Sequence, residues 1–354
     1  MRLYDHPLYM ADVRSVAGLP LPWEKLKGRS VALTGATGLI GSFLADVLLE
    51  KNRQENLGCT VYAFGRSREG AAERFARYRE GGGFVFVPCD LSDPDLSVAP
   101  AHADYVLHFA SNTHPLQYAA DPIGTIATNV IGLKTMLDYA VSCGASRFAF
   151  ASSNEVYGEN RGDTECFDEG YCGYIDCNTL RAGYPESKRC GEALCQAYRR
   201  QKGLDIVVPR FTRTYGPTMR MSDTKAVSQF IKKGLAGEDI VLKSAGGQFY
   251  SFLYAADAVS GFLTVLLRGE DGKAYNIADA RSDIRLRDLA ALVARQSGTR
   301  VVYEAPDALE ASGYSRATKA RLDGGKLTAL GWRAADDIHT GMAKTLAILK
   351  NERS

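Results

Sequence analysis

The stretch Thr34-Gly35-Ala36-Thr37-Gly38-Leu39-Ile40-Gly41 decides the fold of this chain. It follows the apolar run at residues 30–33 and precedes a helical pattern of apolar residues, so it predicts a tight turn between a strand and a helix. In this pattern Gly35 permits the turn, Gly38 lets backbone N–H groups approach a pyrophosphate, and Gly41 allows close helix–strand packing. The helix N-terminus adds partial positive charge. A purely structural turn is the alternative, but we predict a dinucleotide site formed by Gly35, Thr37, Gly38, Leu39, Ile40 and Gly41.

Further apolar runs and helical patterns extend this motif into a fold. Predicted strands lie at residues 61–64, 84–87, 105–109, 148–151 and 206–208, and amphipathic helices at 129–143 and 185–202. Buried strands that alternate with helices are typical of a parallel sheet covered on both faces. We therefore predict an α/β fold with a Rossmann-type doubly wound parallel sheet.

The regularity loosens after residue 211, where turn-rich segments separate helical patterns at residues 225–236, 256–267, 286–297 and 339–349. This change predicts three parts. Residues 1–28 form a lead-in whose segment 21–23 packs on the main domain, and residues 29–211 form the dinucleotide-binding domain. Residues 212–354 form a smaller, partly interleaved substrate-binding part.

Composition excludes several classes of protein. The 354 residues include 43 basic and 41 acidic side chains, a formal charge of +2, which argues against a nucleic-acid binder that works by bulk charge. No run approaches the ~20 apolar residues of a membrane span, and Asp5 and Pro7 interrupt any signal-peptide core, so we expect a cytoplasmic protein. The eight cysteines match no zinc spacing, which predicts free thiols and no metal.

The end of the second predicted strand bears on the choice of cofactor. An acidic residue that holds the adenosine ribose of NAD is usual there, but this chain has Gly65 followed by Arg66. An arginine suits a 2′-phosphate, which favours NADP slightly, although a solvated surface arginine is the alternative. Asp90, after the third strand, is a candidate for the adenine edge.

A tyrosine and a lysine supply the candidate chemistry. Tyr184 and Lys188 stand four residues apart, which places both on one face of a helix that should begin near Pro185. A phenol is a poor base at neutral pH, but a nearby ammonium group lowers its pKa. Ser153 follows the strand at 148–151 and is expected at the mouth of the sheet.

With these three residues in this order, residues 29–350 resemble the extended short-chain dehydrogenase/reductase family, the NAD(P)-dependent epimerases and dehydratases of nucleotide sugars. The segments 108–110, 215–217 and 330–332, and Asn129 with Gly132, add to the likeness. The resemblance implies that Tyr184 removes a hydroxyl proton, that Lys188 lowers its pKa and that Ser153 hydrogen-bonds the reacting oxygen. It also places four further residues beside the cofactor, namely Leu91, Ala110, Ser111 and Asn129.

Within that family the chain looks most like the UDP-glucuronate decarboxylases, through segments 153–158, 181–184 and 222–230. Glu155 matches the glutamate that decarboxylases and 4,6-dehydratases use as acid or base, whereas Asn154 replaces the aspartate of the dehydratases. Three residues depart from the decarboxylase pattern: Arg213 replaces an asparagine, Thr218 an arginine, and Tyr250 the arginine that faces the sugar.

The resemblance thus divides the site into a family-like cofactor half and an altered substrate half. Arg213, Arg220 or Arg316 could supply positive charge to a diphosphate from new positions. The predicted substrate-binding residues are Ser153, Asn154, Arg213, Tyr250 and Arg316.

Three functional hypotheses follow. The first is an epimerase-type enzyme that transiently oxidises a nucleotide-linked sugar, at C4, with NAD or NADP. The second is a decarboxylase or 4,6-dehydratase, because of Glu155. The third, from another class, is a dinucleotide-binding sensor or scaffold without turnover. The family resemblance also implies a homodimer formed through a four-helix bundle of helices 129–143 and 185–202, with no nucleic-acid or membrane partner.

Overall fold

A parallel sheet of short buried strands organises the molecule. The computed structural model describes residues 2–78, 82–91, 96–113, 120–305 and 318–352. The strands are β1 (Ser30–Thr34), β2 (Thr60–Gly65), β3 (Phe84–Pro88), β4 (Tyr105–His108), β5 (Arg147–Phe150), β6 (Ser152–Ser153), β7 (Ile206–Phe211), β8 (Arg213–Tyr215), β9 (Ile240–Leu242), β10 (Phe249–Tyr254), β11 (Lys273–Ile277), β12 (Asp283–Arg285), β13 (Val301–Tyr303) and β14 (Lys319–Ala320). The large sheet has the order β11-β7-β5-β4-β1-β2-β3, all parallel, and β6 continues the pairing with β7. The Rossmann-type prediction is confirmed.

Helices cover both faces of this sheet. They are α1 (Pro7–Ala17), α2 (Leu39–Glu55), α3 (Arg68–Arg74), α4 (Pro122–Ala127), α5 (Leu133–Ser142), α6 (Gly183–Lys202), α7 (Ala226–Ala236), α8 (Ala255–Arg268), α9 (Leu286–Ser297), α10 (Gly325–Ala329) and α11 (Ile338–Glu352). On β1, Val31 and Leu33 join one apolar core cluster and Ala32 joins the other. This alternation shows that the strand is buried on both sides, as period-two geometry requires.

The strand order reverses between β1 and β4, which places a crevice at their carboxyl ends. β1 is followed in the sheet by β2 and β3 on one side, and β4 leads to β5 on the other. Open α/β sheets bind ligands at such a switch point. Thr34 and His108, the final residues of β1 and β4, are paired there.

The C-terminal residues build two small sheets and one strand of the large sheet. β11 pairs with β7, while β12, β10 and β14 form a second sheet in which β8 also pairs with β10. The sequence predicted the helices α7 to α9 and α11 but not these strands. Those of two or three residues are too short for a periodic signal, and the six residues of β10 do not alternate between apolar and polar. The domain boundary at residue 211 stays a prediction.

The lead-in is more ordered than the sequence predicted. α1, which the sequence did not predict, packs on α2, where the Tyr9 hydroxyl donates to Asp46 and Arg74 also bonds that carboxylate. Trp23 is buried against the Lys51 ammonium of α2, 4.9 Å from the ring centroid, so the predicted packing of segment 21–23 is confirmed. No disulfide joins any of the eight cysteines, all of which lie in the described ranges. In the described part of the chain, no helix is long and apolar enough to cross a membrane.

Candidate active site

The glycine loop is folded so tightly that side chains would collide in it. Gly35 has φ +69°, and a Cβ on it would lie 2.8 Å from the backbone nitrogen of Ala110. A Cβ on Gly41 would lie 2.3 Å from the carbonyl oxygen of Gly35. Gly38 is the N-cap of α2 and has no side chain that could bond the first-turn N–H groups of Leu39 and Ile40. These donors and the helix dipole fit a pyrophosphate.

Thr34 joins the two strand ends that border this loop. Its Oγ1 accepts hydrogen bonds of 3.1 Å from the backbone nitrogens of both Phe109 and Ala110, and lies 3.2 Å from His108 Nδ1. Burial and the charge of Lys188 lower the pKa of His108 to about 3, so the ring is neutral at ordinary pH. His108 is buried and stacks on both Phe148 and Phe150, which agrees with a packing role.

Helix α6 presents the candidate catalytic pair at the end of the sheet. Pro185 lies in its first turn, as predicted. Lys188 Nζ donates a 2.9 Å hydrogen bond to the carbonyl of Ala151 and lies 5.8 Å from the centroid of the Tyr184 ring. Ser153 follows β5 and, with Ser111, hydrogen-bonds the Tyr184 hydroxyl. The structure therefore brings together Ser153, Tyr184 and Lys188, three of the four residues that the sequence predicted for catalysis.

The pKa of Tyr184 moves in the opposite direction from the sequence expectation. Burial raises it well above its ordinary value, and the negative charge of Glu155 raises it further. Three groups act against this rise without cancelling it: the hydrogen bond of Ser153, the charge of Arg181 and the hydrogen bond of Ser111. Burial also lowers the pKa of Lys188 to about 8, because a buried ammonium group is poorly solvated.

Asn129 connects the cofactor side of the site to α6. Ser111 Oγ donates to Asn129 Oδ1 at 2.7 Å, and Asn129 Nδ2 donates to Ser187 Oγ at 2.9 Å. Asn129 lies in a π-helical turn, Thr128–Gly132, between α4 and α5, and such turns are frequent at functional sites. The same turn approaches Leu91, whose carbonyl oxygen lies 2.8 Å from a Cβ built on Gly132.

The remaining cofactor candidates lie along one edge of the sheet. β2 ends at Gly65, whose carbonyl accepts from the backbone nitrogen of Cys89, so Arg66 and Asp90 follow neighbouring strand ends. Both residues are exposed. A cavity of about 660 Å³ between the glycine loop and the start of α3 is lined by Thr37, Ser42, Ser67 and Gly70, among others. The cavity has room for the adenosine end of a dinucleotide.

Two residues beyond β8 reach across to the glycine loop. Arg220 Nη2 donates to Thr37 Oγ1 at 2.9 Å, and Thr218 Oγ1 donates to the carbonyl of Leu39 at 2.7 Å. The sequence offered Arg220 as a cation for a diphosphate. Its place beside Thr37 puts it at the loop predicted to hold the cofactor.

The predicted substrate half contains a cluster of charges beside Tyr184. Arg181 Nη2 donates to both carboxylate oxygens of Glu155 at 2.7 Å, and the backbone nitrogen of Glu155 donates to Ser153 Oγ at 3.2 Å. The guanidinium carbon of Arg213 lies 3.6 Å from the centroid of the Tyr250 ring. The sequence missed Arg181 as a site residue, although it stands only three residues before Tyr184.

Asn154 and Arg316 are the remaining predicted substrate-binding residues. Asn154 is buried at the start of the 3-10 turn Asn154–Tyr157, directly after Ser153. Arg316 lies outside the described residues.

Comparison with known proteins agrees with this geometry. Residues 31–278 match the model of the NAD dependent epimerase/dehydratase family. UDP-glucuronic acid decarboxylase 5 of Arabidopsis thaliana is 34% identical over 249 residues, covering 70% of this chain and 69% of that protein. UDP-glucuronic acid decarboxylase 1 of Xenopus tropicalis is 30% identical over 324 residues, covering 92% and 73%.

Solved structures show the same fold. A double mutant of DesIV, a dTDP-glucose 4,6-dehydratase from Streptomyces venezuelae with NAD bound, has a TM-score of 0.79 and 26% identity, covering 92% of this chain and 98% of that chain. UDP-glucuronic acid 4-epimerase from Bacillus cereus, at 20% identity, has a TM-score of 0.78, covering 91% and 99%, and supports the fold alone. The chain is therefore an enzyme that belongs to the NAD-dependent epimerase/dehydratase family, within the extended short-chain dehydrogenases/reductases.

Proposed function

We propose that this enzyme transiently oxidises a nucleotide-linked sugar at C4 and returns the hydride after an epimerisation-type step. The observation that carries the proposal is the contact of the Tyr184 hydroxyl with Ser153 and Ser111, at the carboxyl edge of the sheet and one helical turn from Lys188. A hydroxyl placed at this point would have a proton acceptor and a hydrogen-bond partner together.

In this proposal each residue moves or holds a proton at a stated atom. Ser153 Oγ hydrogen-bonds the C4 oxygen, and Tyr184 takes the proton of that hydroxyl and later gives it back. Bound NAD would supply the acceptor for the hydride of C4, and the positive charge of its oxidised nicotinamide would lower the pKa of a neighbouring phenol. That charge would act against the burial that holds the pKa of Tyr184 high.

The cofactor fits the loop through the uncapped N-terminus of α2 and the close approach of Gly35 to Ala110. We propose that the dinucleotide runs from there toward Arg66, and that the exposed guanidinium gives a slight preference for NADP. Asp90 would face the adenine. Lys188 would hold the nicotinamide ribose with the charge that remains on it below pH 8.

Glu155 favours a second candidate, a decarboxylase or dehydratase. Its carboxylate is oriented by Arg181 and acts electrostatically on Tyr184, and its backbone nitrogen bonds Ser153. An acid or base at this place could act on the carbon next to the oxidised centre. If this candidate is right, UDP-glucuronate releases carbon dioxide, or a nucleotide-linked hexose gives a 4-keto-6-deoxy product. Epimerised product without either outcome favours the first candidate.

The experiment combines purified wild-type enzyme and Tyr184→Phe with a panel of nucleotide sugars, followed by NMR of the products. Wild type should convert at least one sugar, and Tyr184→Phe should be slower by about 10²- to 10⁴-fold, the usual range for a general base, while it binds the cofactor equally well. A Tyr184→Phe variant with full turnover contradicts the proposal. Wild-type protein that binds dinucleotide but converts no sugar supports the sensor hypothesis instead.

We also propose a homodimer. Ile123 and Ile131, on the α4–α5 segment, and Leu180, just before α6, are 82%, 55% and 71% exposed. These apolar side chains adjoin the two helices predicted to form the four-helix bundle, and exposed apolar groups of this kind mark interaction surfaces.

A further inference from the structure

Arg213 is a half-buried cation that the proposed chemistry does not yet use. It begins β8 and pairs in register with Phe252 of β10, which places it beside Tyr250 on the same face of that strand. Its guanidinium stacks on the Tyr250 ring. The Nη1 atom is buried and has no hydrogen-bond partner in the described part of the chain.

The surroundings of Arg213 leave positive charge uncompensated. Burial lowers the pKa of Arg213, Tyr250 and Glu155 raise it, and the like charge of Arg181 lowers it further, so these groups share one electrostatic neighbourhood. Glu155 already accepts two hydrogen bonds from Arg181. Two guanidinium groups and one carboxylate leave a net charge of +1. A buried guanidinium nitrogen without a partner, such as Arg213 Nη1, is costly, and an anionic ligand would remove that cost.

The position of the cluster indicates which part of a nucleotide sugar this anion belongs to. Glu155 bonds Ser153 through its backbone nitrogen and acts electrostatically on Tyr184, so Arg213 lies on the side of the reacting carbon. In a hexose oxidised at C4, the substituent of C5 is next to the reacting carbon, whereas the diphosphate on C1 is across the ring. The planar guanidinium fork also matches a carboxylate.

We propose that Arg213, held flat by Tyr250, binds the sugar carboxylate of a nucleotide-linked uronic acid. This proposal rests on the proposed function, because it takes C4 as the reacting carbon. It names the substrate class as uronic acids and gives Arg213 the role of a specificity-determining residue. An anionic oxygen of the diphosphate would offer the same chemistry, so the test must separate the two sources.

The test measures Kd for UDP-glucuronate and UDP-glucose by calorimetry, with cofactor present, in wild type, Arg213→Met and Arg285→Met. Arg285 is the matched control because it stacks on Phe249, the neighbour of Tyr250 on β10, and is exposed. Arg213→Met should weaken UDP-glucuronate binding by about 10- to 100-fold, the range of a charge-assisted hydrogen bond, and leave UDP-glucose within threefold. Arg285→Met should leave the Kd values of both nucleotide sugars unchanged.

Each other outcome has a defined meaning. If Arg213→Met loses affinity equally for UDP-glucuronate and UDP-glucose, Arg213 binds the diphosphate and the proposal is overturned. Unchanged affinity for both nucleotide sugars also overturns it. A lower melting temperature of Arg213→Met with unchanged selectivity identifies a structural role and also overturns it. Wild type that binds neither nucleotide sugar overturns the proposed function, and this inference with it. If Arg213→Met does not fold, Arg213→Lys is measured instead: selective weakening of UDP-glucuronate supports the proposal, and equal or no weakening contradicts it.

Discussion

Lys188 donates a 2.9 Å hydrogen bond from Nζ to the carbonyl oxygen of Ala151, and this bond ties α6 to the end of β5. The ammonium group is buried, with Phe150 under it at 4.9 Å. Because burial penalises the charged form, the pKa of Lys188 falls to about 8, within reach of ordinary assay conditions. The charge that the proposed mechanism uses is therefore sensitive to pH.

The first prediction concerns this sensitivity. The folded-state pKa of Lys188 lies below the ordinary lysine value, so the ammonium charge is present below about pH 8 and is lost as the pH rises through it. We expect kcat/KM to fall along a limb near pH 8. Lys188→Arg keeps its charge at every assay pH, and should be slower but lack that limb. The same limb in Lys188→Arg would assign it to another group.

The second prediction concerns the glycine loop. In Gly41→Ala the new methyl group meets the Gly35 carbonyl at 2.3 Å, so the loop must shift. We expect at least tenfold weaker NAD binding and a loss of about 1–3 kcal/mol in unfolding free energy, as for other overpacked positions. Gly247→Ala is the control, since a Cβ there has no atom within 4 Å. Equal effects in both variants would contradict the assigned role of the loop.

The third prediction concerns the cofactor. If Arg66 meets the 2′-phosphate, Arg66→Ala should weaken NADP binding about tenfold, as expected when a charged hydrogen bond is lost, and leave NAD binding unchanged. Arg68→Ala is the matched control because Arg68 is a neighbouring exposed cation whose guanidinium lies 5.3 Å from the Phe86 ring centroid. Titration calorimetry measures the Kd of NAD and of NADP for wild type and for both variants. Loss of NADP affinity in both variants would show only a general effect of charge.

The fourth prediction concerns assembly. Ile123→Glu places a charge on the exposed side chain of α4 and should convert a dimer to monomer in light scattering after size-exclusion chromatography. Tyr303→Glu is the control, since Tyr303 is 65% exposed on β13, which pairs with β9. A dimer that survives Ile123→Glu contradicts the proposed interface, and so does a wild type that is monomeric.

The glycine loop and the placing of Tyr184 beside Lys188 could be predicted from the sequence, because both follow from local backbone geometry. Gly35 and Gly41 occupy positions where a Cβ would strike another backbone atom, so the pattern follows directly from the fold. Tyr184 and Lys188 are one helical turn apart, which the spacing alone states. Both relationships join residues that are close in sequence, and the structure contains both.

The contacts in the predicted substrate half could not be predicted from the sequence, because they join segments that are distant along the chain. Arg213 meets Tyr250 only because β8 pairs with β10. β8 has three residues, too few for a periodic signal, and the six residues of β10 do not alternate between apolar and polar. Arg181 reaches Glu155 across 26 residues, a pairing that no local rule predicts. The pKa of Tyr184 was mispredicted for a related reason: the sequence shows the nearby lysine but not the burial that outweighs it.

In the proposed reaction, hydride leaves C4 of the sugar and returns to it within one active site. The most direct measurement uses a nucleotide sugar deuterated at C4, with NMR and mass spectrometry of the product formed by wild-type enzyme in ordinary water. We expect slower turnover than with the protiated sugar and a product that keeps the deuterium at C4. Loss of that deuterium to solvent, with no change in rate, would contradict it.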